Sequence, residues 1–122
     1  MAYDDSNIFA LILSGDIPCD MVFEDDHVLA FRDINPQAAV HILVIPKGAY
    51  VSMDDFSAQA SDAEIVALNR AVGKIARDEG LVETGYRTLV NNGAAAGQEI
   101  PHLHIHIFGG QPLGRMIKPL PT

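Results

Sequence analysis

Pro101-His102-Leu103-His104-Ile105-His106-Ile107-Phe108 alternates three imidazoles with large apolar side chains. Alternation at period two is the pattern of a half-buried β-strand, where residues i, i+2 and i+4 share a face. His102, His104 and His106 would then stand side by side at steps of roughly 6.6 Å, twice the rise per strand residue. Leu103, Ile105 and Ile107 face the other way, toward a core. The chain has five histidines, and three of them fall within five positions. That concentration marks a site as well as a strand.

At this level three readings of the histidine face stay open. It is plain solvated surface; or a metal site; or a nucleophile with helpers. Neutral imidazole is the commonest metal ligand, and a His-x-His pair on a strand holds zinc when a third protein ligand is added. In the third reading a central imidazole attacks, while its neighbours bind an anion and move protons. Histidine forms covalent intermediates, and an ordinary pKa near ~6.5 suits proton transfer at neutral pH.

Composition narrows the partners. A chain of 122 residues with 48% apolar content is the size of one domain with a real core. The single Cys19 has no partner for an intramolecular disulfide. Met1-Ala2-Tyr3-Asp4-Asp5 lacks the basic-then-apolar layout of a signal peptide, and no apolar run approaches ~20 residues, so a cytoplasmic protein off the membrane is expected. The net charge of −8, from 8 basic and 16 acidic residues, speaks against nucleic-acid binding. It leaves room for one small phosphorylated ligand held by backbone N–H groups and imidazoles.

Outward from the histidines, Tyr86–Asn91 reads as a strand, and Asn91–Gln98 as a small-residue loop where a ligand can approach the backbone. Ala39–Lys47 is apolar and β-branched, so it is expected to be central. His41 interrupts it, and a neighbouring central strand would bring this fourth imidazole to the cluster. Met21–Glu24 and Val28–Asp33 are further strands, joined at Asp25-Asp26, with His27 solvated at the turn. Asn35-Pro36-Gln37 is a turn. Asp5-Ser6 is expected to cap a short helix over Asn7–Leu13, ending near Ser14-Gly15. Ser61-Asp62-Ala63-Glu64 is a capping box for a longer helix with Ile65, Leu68, Val72 and Ile75 on one side, ending at Gly80. Arg115–Thr122, with Pro119 and Pro121, is expected to be extended.

The run from His102 to Phe108 resembles the signature of the histidine triad (HIT) family. Ala30–Ala38 and His41–Lys47 resemble that family's upstream block, and Asn91 and Gly97-Gln98 stand where the family has them. Gly109-Gly110-Gln111-Pro112-Leu113-Gly114 is similar to the end of the Hint-like branch, its bacterial members especially. The resemblance implies an α+β fold over one domain, residues 1–122, with a core of about 6–110 and a tail over 111–122. Its five-stranded antiparallel sheet carries one long and one short helix and continues across a homodimer. The implied activity is hydrolysis of the P–N bond of a purine nucleoside phosphoramidate, without a cofactor. In that scheme His104 is the nucleophile and His102 and His106 contact phosphate and handle protons, with His41 supporting them. Asp33 takes the ribose hydroxyls, while Ile8, Phe9, Phe31 and Ile34 wall the base. Asn91 is a polar contact near the ribose and phosphate, Gly97 and Gln98 are further substrate-binding residues, and Glu99 either handles a proton near the amine or points away.

Two departures stand out. Glu99 occupies a place where many eukaryotic relatives have serine, and a carboxylate only accepts hydrogen bonds where a hydroxyl can donate. Asn7-Ile8-Phe9-Ala10 stands where some members have a zinc-binding Cys-x-x-Cys, so no metal is expected there. Competing functions are a dinucleoside polyphosphate hydrolase of the Fhit type, a nucleotide-binding or scaffold module with little catalysis, and a zinc enzyme built on the three histidines.

Overall fold

The computed structural model describes residues 2–121; Met1 and Thr122, the ends of the expected domain, lie outside the described residues. Five antiparallel strands form one sheet: β1 (Met21–Glu24), β2 (Val28–Arg32), β3 (Val40–Pro46), β4 (Arg87–Leu89) and β5 (Ile105–Gly109), in the order β1-β2-β3-β5-β4. The expected α+β sheet is therefore present, with His41's strand beside the last histidine's. None of the described helices is long and apolar enough to cross a membrane.

Strand alternation gives the sheet two unlike faces. Val28, Ala30, Ile42, Val44, Ile105 and Ile107 point to one side and join the main core. The 17-residue helix α3 (Asp62–Asp78) covers that side with Leu68, Ala71, Ile75 and Ala76. Its capping box forms as expected, with the Ser61 hydroxyl accepting from Glu64 N–H while the Glu64 carboxylate accepts from Ser61 N–H. Such a cap is worth about 1 kcal/mol. Gly80, at φ +72°, ends the helix in the left-handed region.

The opposite face carries Leu29, Phe31, Leu43 and Ile45 under helix α1 (Ile8–Leu13), whose Phe9 is buried among them. His41, His104 and His106 belong to this face. The cap of α1 is Asn7 rather than the expected Asp5-Ser6: its side-chain oxygen accepts from Ala10 N–H at 2.9 Å. A further helix, α2 (Met53–Gln59), adds to the expected one long and one short helix. It buries one side chain, Phe56, and so has no apolar period to betray it. Its cap uses Ser52 with Asp55, the shorter carboxylate, at N3.

The histidine strand begins later than the alternation predicts. Pairing of β3 with β5 runs only as far as Val44 opposite Ile105. Pro46 has no N–H to continue the ladder, and Leu103 N–H turns away to Tyr50 O at 2.8 Å. His102, Leu103 and His104 thus lie on an extended approach outside the sheet. β4 stops with it, since Leu89 pairs with His106 and nothing follows. The expected strand over Tyr86–Asn91 is consequently shorter. The C-terminal segment is irregular, tethered by Ala39 N–H to the Gln111 side chain and by Arg87 to Gly114 O.

Candidate active site

A cleft of about 490 Å³ opens between α1 and the histidine face. Ile8, Phe9, Phe31 and Ile34 line it with apolar surface. Asp33 and Asn91 supply polar groups, and Gly97 and Glu99 border it. Ile12, one turn after Ile8 on the same helical face, and Cys19 also line it, and neither was anticipated. His104 and His106 also line it.

His104 is 8% exposed, and its Nδ1 lies 2.8 Å from the carbonyl oxygen of His102. A carbonyl only accepts, so Nδ1 carries the proton and Nε2 keeps its lone pair. Phe9 meets the His104 ring edge to face, with centroids 5.0 Å apart, and limits its rotation. This main-chain carbonyl and one aromatic ring thus fix both tautomer and orientation.

His41 and His106 form a directed pair. Gln37 N–H donates to His41 Nδ1 at 3.1 Å, which leaves the proton of neutral His41 on Nε2. That nitrogen is 2.9 Å from His106 Nδ1 and 3.4 Å from an Asp33 carboxylate oxygen. His106 Nδ1 therefore accepts, and its proton sits on Nε2. His106 Nε2 is buried and has no hydrogen-bond partner among the described residues. The pair ends in an unused donor on a residue that lines the cleft. Phe108 stacks on His106, with ring planes 5° apart, and holds it flat.

Two expected contacts lie elsewhere. His102 does not line the cleft: its ring is wholly buried, Nε2 donates to Pro46 O at 2.9 Å, and Nδ1 lies 2.6 Å from the Tyr3 hydroxyl. Both nitrogens are spent inside the protein, so the ring has none to offer a phosphate. The displacement follows from the approach segment leaving the sheet after Pro46. Gln98 also turns inward, donating to Val51 O and Ile100 O while accepting from Gly93 N–H. It closes the small-residue loop instead of meeting a ligand. His41 stands one layer back and reaches the cleft through His106.

A family model described as HIT domain matches residues 14–113 of this chain. The chain belongs to the HIT domain family. A HIT-like protein of Azospirillum brasilense is 64% identical over 94% of both chains. The purine nucleoside phosphoramidase of Escherichia coli K12 is 43% identical over 93% of this chain and 94% of its own. Among solved structures, a HIT family hydrolase from Clostridium thermocellum superposes with a TM-score of 0.85 at 36% identity, over 94% of this chain and 99% of that one.

This HIT protein brings Asp33, His41 and His106 close enough to suggest a metal site, their donor atoms lying within 4.8 Å of one another. The donor chemistry does not fit. A metal on His41 Nε2 would push the ring proton to Nδ1, where Gln37 N–H already points. Nor do the three triad rings converge on an ion, since both His102 nitrogens and His104 Nδ1 are committed.

Burial dominates the electrostatics. It pushes His41, His102 and His104 below the ordinary imidazole range, with Asp33 opposing it at His41 and His104. His106 is lowered furthest, to about 4, by burial first and then by the neighbouring His104 and His41. All four rings are neutral at pH 7. In the unfolded chain they regain ordinary values, so between about 6.5 and about 4 the unfolded state binds more protons. Stability from this source is complete above the upper value and declines as pH falls toward the lower. We expect the thermal midpoint to drop across that window, and His106→Asn to flatten the drop. Scanning calorimetry at several pH values checks this; a midpoint constant to the lower end would refute it.

Proposed function

We propose that this protein hydrolyses the P–N bond of a purine nucleoside phosphoramidate, releasing a nucleoside monophosphate and an amine. The observation that carries the reading is the His104 ring, pinned through Nδ1 to the His102 carbonyl while Nε2 keeps its lone pair. The similarity to a purine nucleoside phosphoramidase supports the substrate class.

In this scheme the base lies between the apolar walls of Ile8, Phe9, Phe31 and Ile34. The remaining lone pairs of Asp33, one of whose oxygens already accepts from Asn35 N–H, receive the ribose hydroxyls. His104 Nε2 attacks phosphorus, forming an N–P bond as the bond to the amine breaks. A neutral imidazole meets the anionic phosphoryl group without charge repulsion. The bound anion raises the proton affinity of His106, which takes up a proton from solvent as the substrate binds, and the imidazolium passes the proton on its Nε2 to the departing amine. Water then attacks phosphorus from the vacated side, gives a proton back to His106 and frees His104. Over the cycle one water is consumed, and the proton taken up with the substrate is released with the product, so the histidines return to neutral.

The exposed carboxylate of Glu99 stands at the cleft border, where it accepts but never donates. The same reading makes the protein a homodimer whose sheets join at an edge. β4, three residues long, is an edge strand, and Met116, Ile117 and Leu120 of the tail are exposed apolar surface for a second copy to cover. Light scattering should give twice the 13.2 kDa chain mass; a monomer at micromolar concentration removes this part.

His104→Ala should lower kcat/KM on an adenosine phosphoramidate by on the order of 10⁴-fold or more. Acid-quenched wild-type protein should carry labelled nucleotide on histidine, and equal turnover by the variant would end the proposal. Asp33→Ala should raise KM by roughly 10-fold, as expected from a lost charged hydrogen bond of about 1–3 kcal/mol. A KM unchanged for the nucleoside moiety would remove Asp33 from the ribose.

A further inference from the structure

His102 poses a question that the proposed chemistry leaves unanswered. It belongs to the histidine run, yet its ring is completely buried and turned from the cleft. A neutral imidazole whose Nε2 donates to Pro46 O must accept at Nδ1. The partner at Nδ1 is the hydroxyl of Tyr3, 99 residues away in sequence, at 2.6 Å. That is at the short end for an O–H donor.

The tyrosine hydroxyl is itself held. Its oxygen accepts from the Asn7 side-chain amide at 2.9 Å, and that amide also donates to Asp4 O at 2.8 Å. The other end of the same side chain caps α1. A single chain of donors thus runs from the helix cap through Tyr3 to the His102 ring, every proton pointing toward the triad. The two rings also meet edge to face, with centroids 5.6 Å apart. Phe9 on α1 reaches both His102 and His104, at 6.3 Å and 5.0 Å.

We propose that Tyr3 is a positioning residue for His104, acting through the His102 ring and main-chain carbonyl. His102 fixes the segment because its ring is tied at both nitrogens, to Pro46 at the end of β3 and to the N-terminal arm. The carbonyl of the residue so fixed is the acceptor for His104 Nδ1–H. Removing the Tyr3 hydroxyl leaves a buried nitrogen without its donor, so the ring must turn or recruit water. Either response moves or loosens the carbonyl that sets the tautomer and aim of the nucleophile. Nucleotide contacts elsewhere in the cleft stay as they were.

The proposal rests on His104 being the nucleophile, so its test includes a readout that needs no substrate. Tyr3→Phe should lower kcat by about 10- to 100-fold, the scale of a small misplacement of a reacting group, with KM within about twofold. Nitrogen-15 spectra of the imidazoles should show the His102 Nδ1 signal move toward that of an unbonded nitrogen. His104 should lose its single Nδ1–H tautomer. Asn7→Asp is the second variant: aspartate still caps a helix, but it offers Tyr3 an acceptor that competes with His102. It should shift the same ring signals in the same direction and lower kcat.

Ring signals and kcat unchanged in both variants would overturn the proposal. So would a fall in activity that tracks only the folded fraction, with the folded molecules keeping wild-type ring signals. Should wild-type protein prove inactive on phosphoramidates while the variants still shift the His104 tautomer, the proposed substrate fails and the positioning role stands.

Discussion

The bond from His104 Nδ1–H to the carbonyl of His102 is the constraint on which the rest of the site depends. Imidazole is a useful nucleophile only if one known nitrogen has the lone pair and faces the ligand. A side-chain acceptor could rotate away, whereas a main-chain carbonyl is as fixed as the fold around it. This carbonyl lies on the approach to β5, in the same peptide unit whose Leu103 N–H turns to Tyr50. A strand that stops short therefore supports the chemistry better than one continuing through all three histidines would.

Other features serve the same end from different directions. β3 delivers His41 at 2.9 Å from His106 and Pro46 O at 2.9 Å from His102, so one strand braces both ends of the histidine run. The tight turn before β3 places Gln37 N–H on His41 and thereby gives the His41–His106 pair its direction. α1 contributes Phe9 as a stop for the His104 ring and Asn7 as an anchor for the arm. The main core, on the far face of the sheet, supplies stiffness and holds Leu103 between His102 and His104.

Much of the architecture was legible because it rests on pattern. The alternation from His102 to Phe108 located β5 and the direction of Leu103, Ile105 and Ile107, and the capping box at Ser61 located α3. Of the site, strand parity decides His41 and His106, while His104, just outside the ladder, reaches the cleft from the approach segment. His102 shares that parity but not that role, because side-chain direction past Ile105 is set by where the ladder ends. Gln98 was misjudged for a similar reason, since its amide closes a loop and local sequence does not reveal which way it turns. α2 had a single buried residue to announce it. Tyr3 sits in an acidic stretch without any period, and its partner is 99 residues distant.

The donor at His106 Nε2, without a partner among the described residues, bears on how the cleft responds to its contents. Desolvation suppresses the positive charge that would greet an incoming anion, so affinity for phosphate and affinity for a proton reinforce each other through one imidazole. Such linkage is reciprocal. A ligand that brings negative charge draws a proton in with it, and a neutral nucleoside does not. In the proposed reaction the resting protein stays uncharged at its centre and becomes acidic there only once a phosphoryl group has arrived.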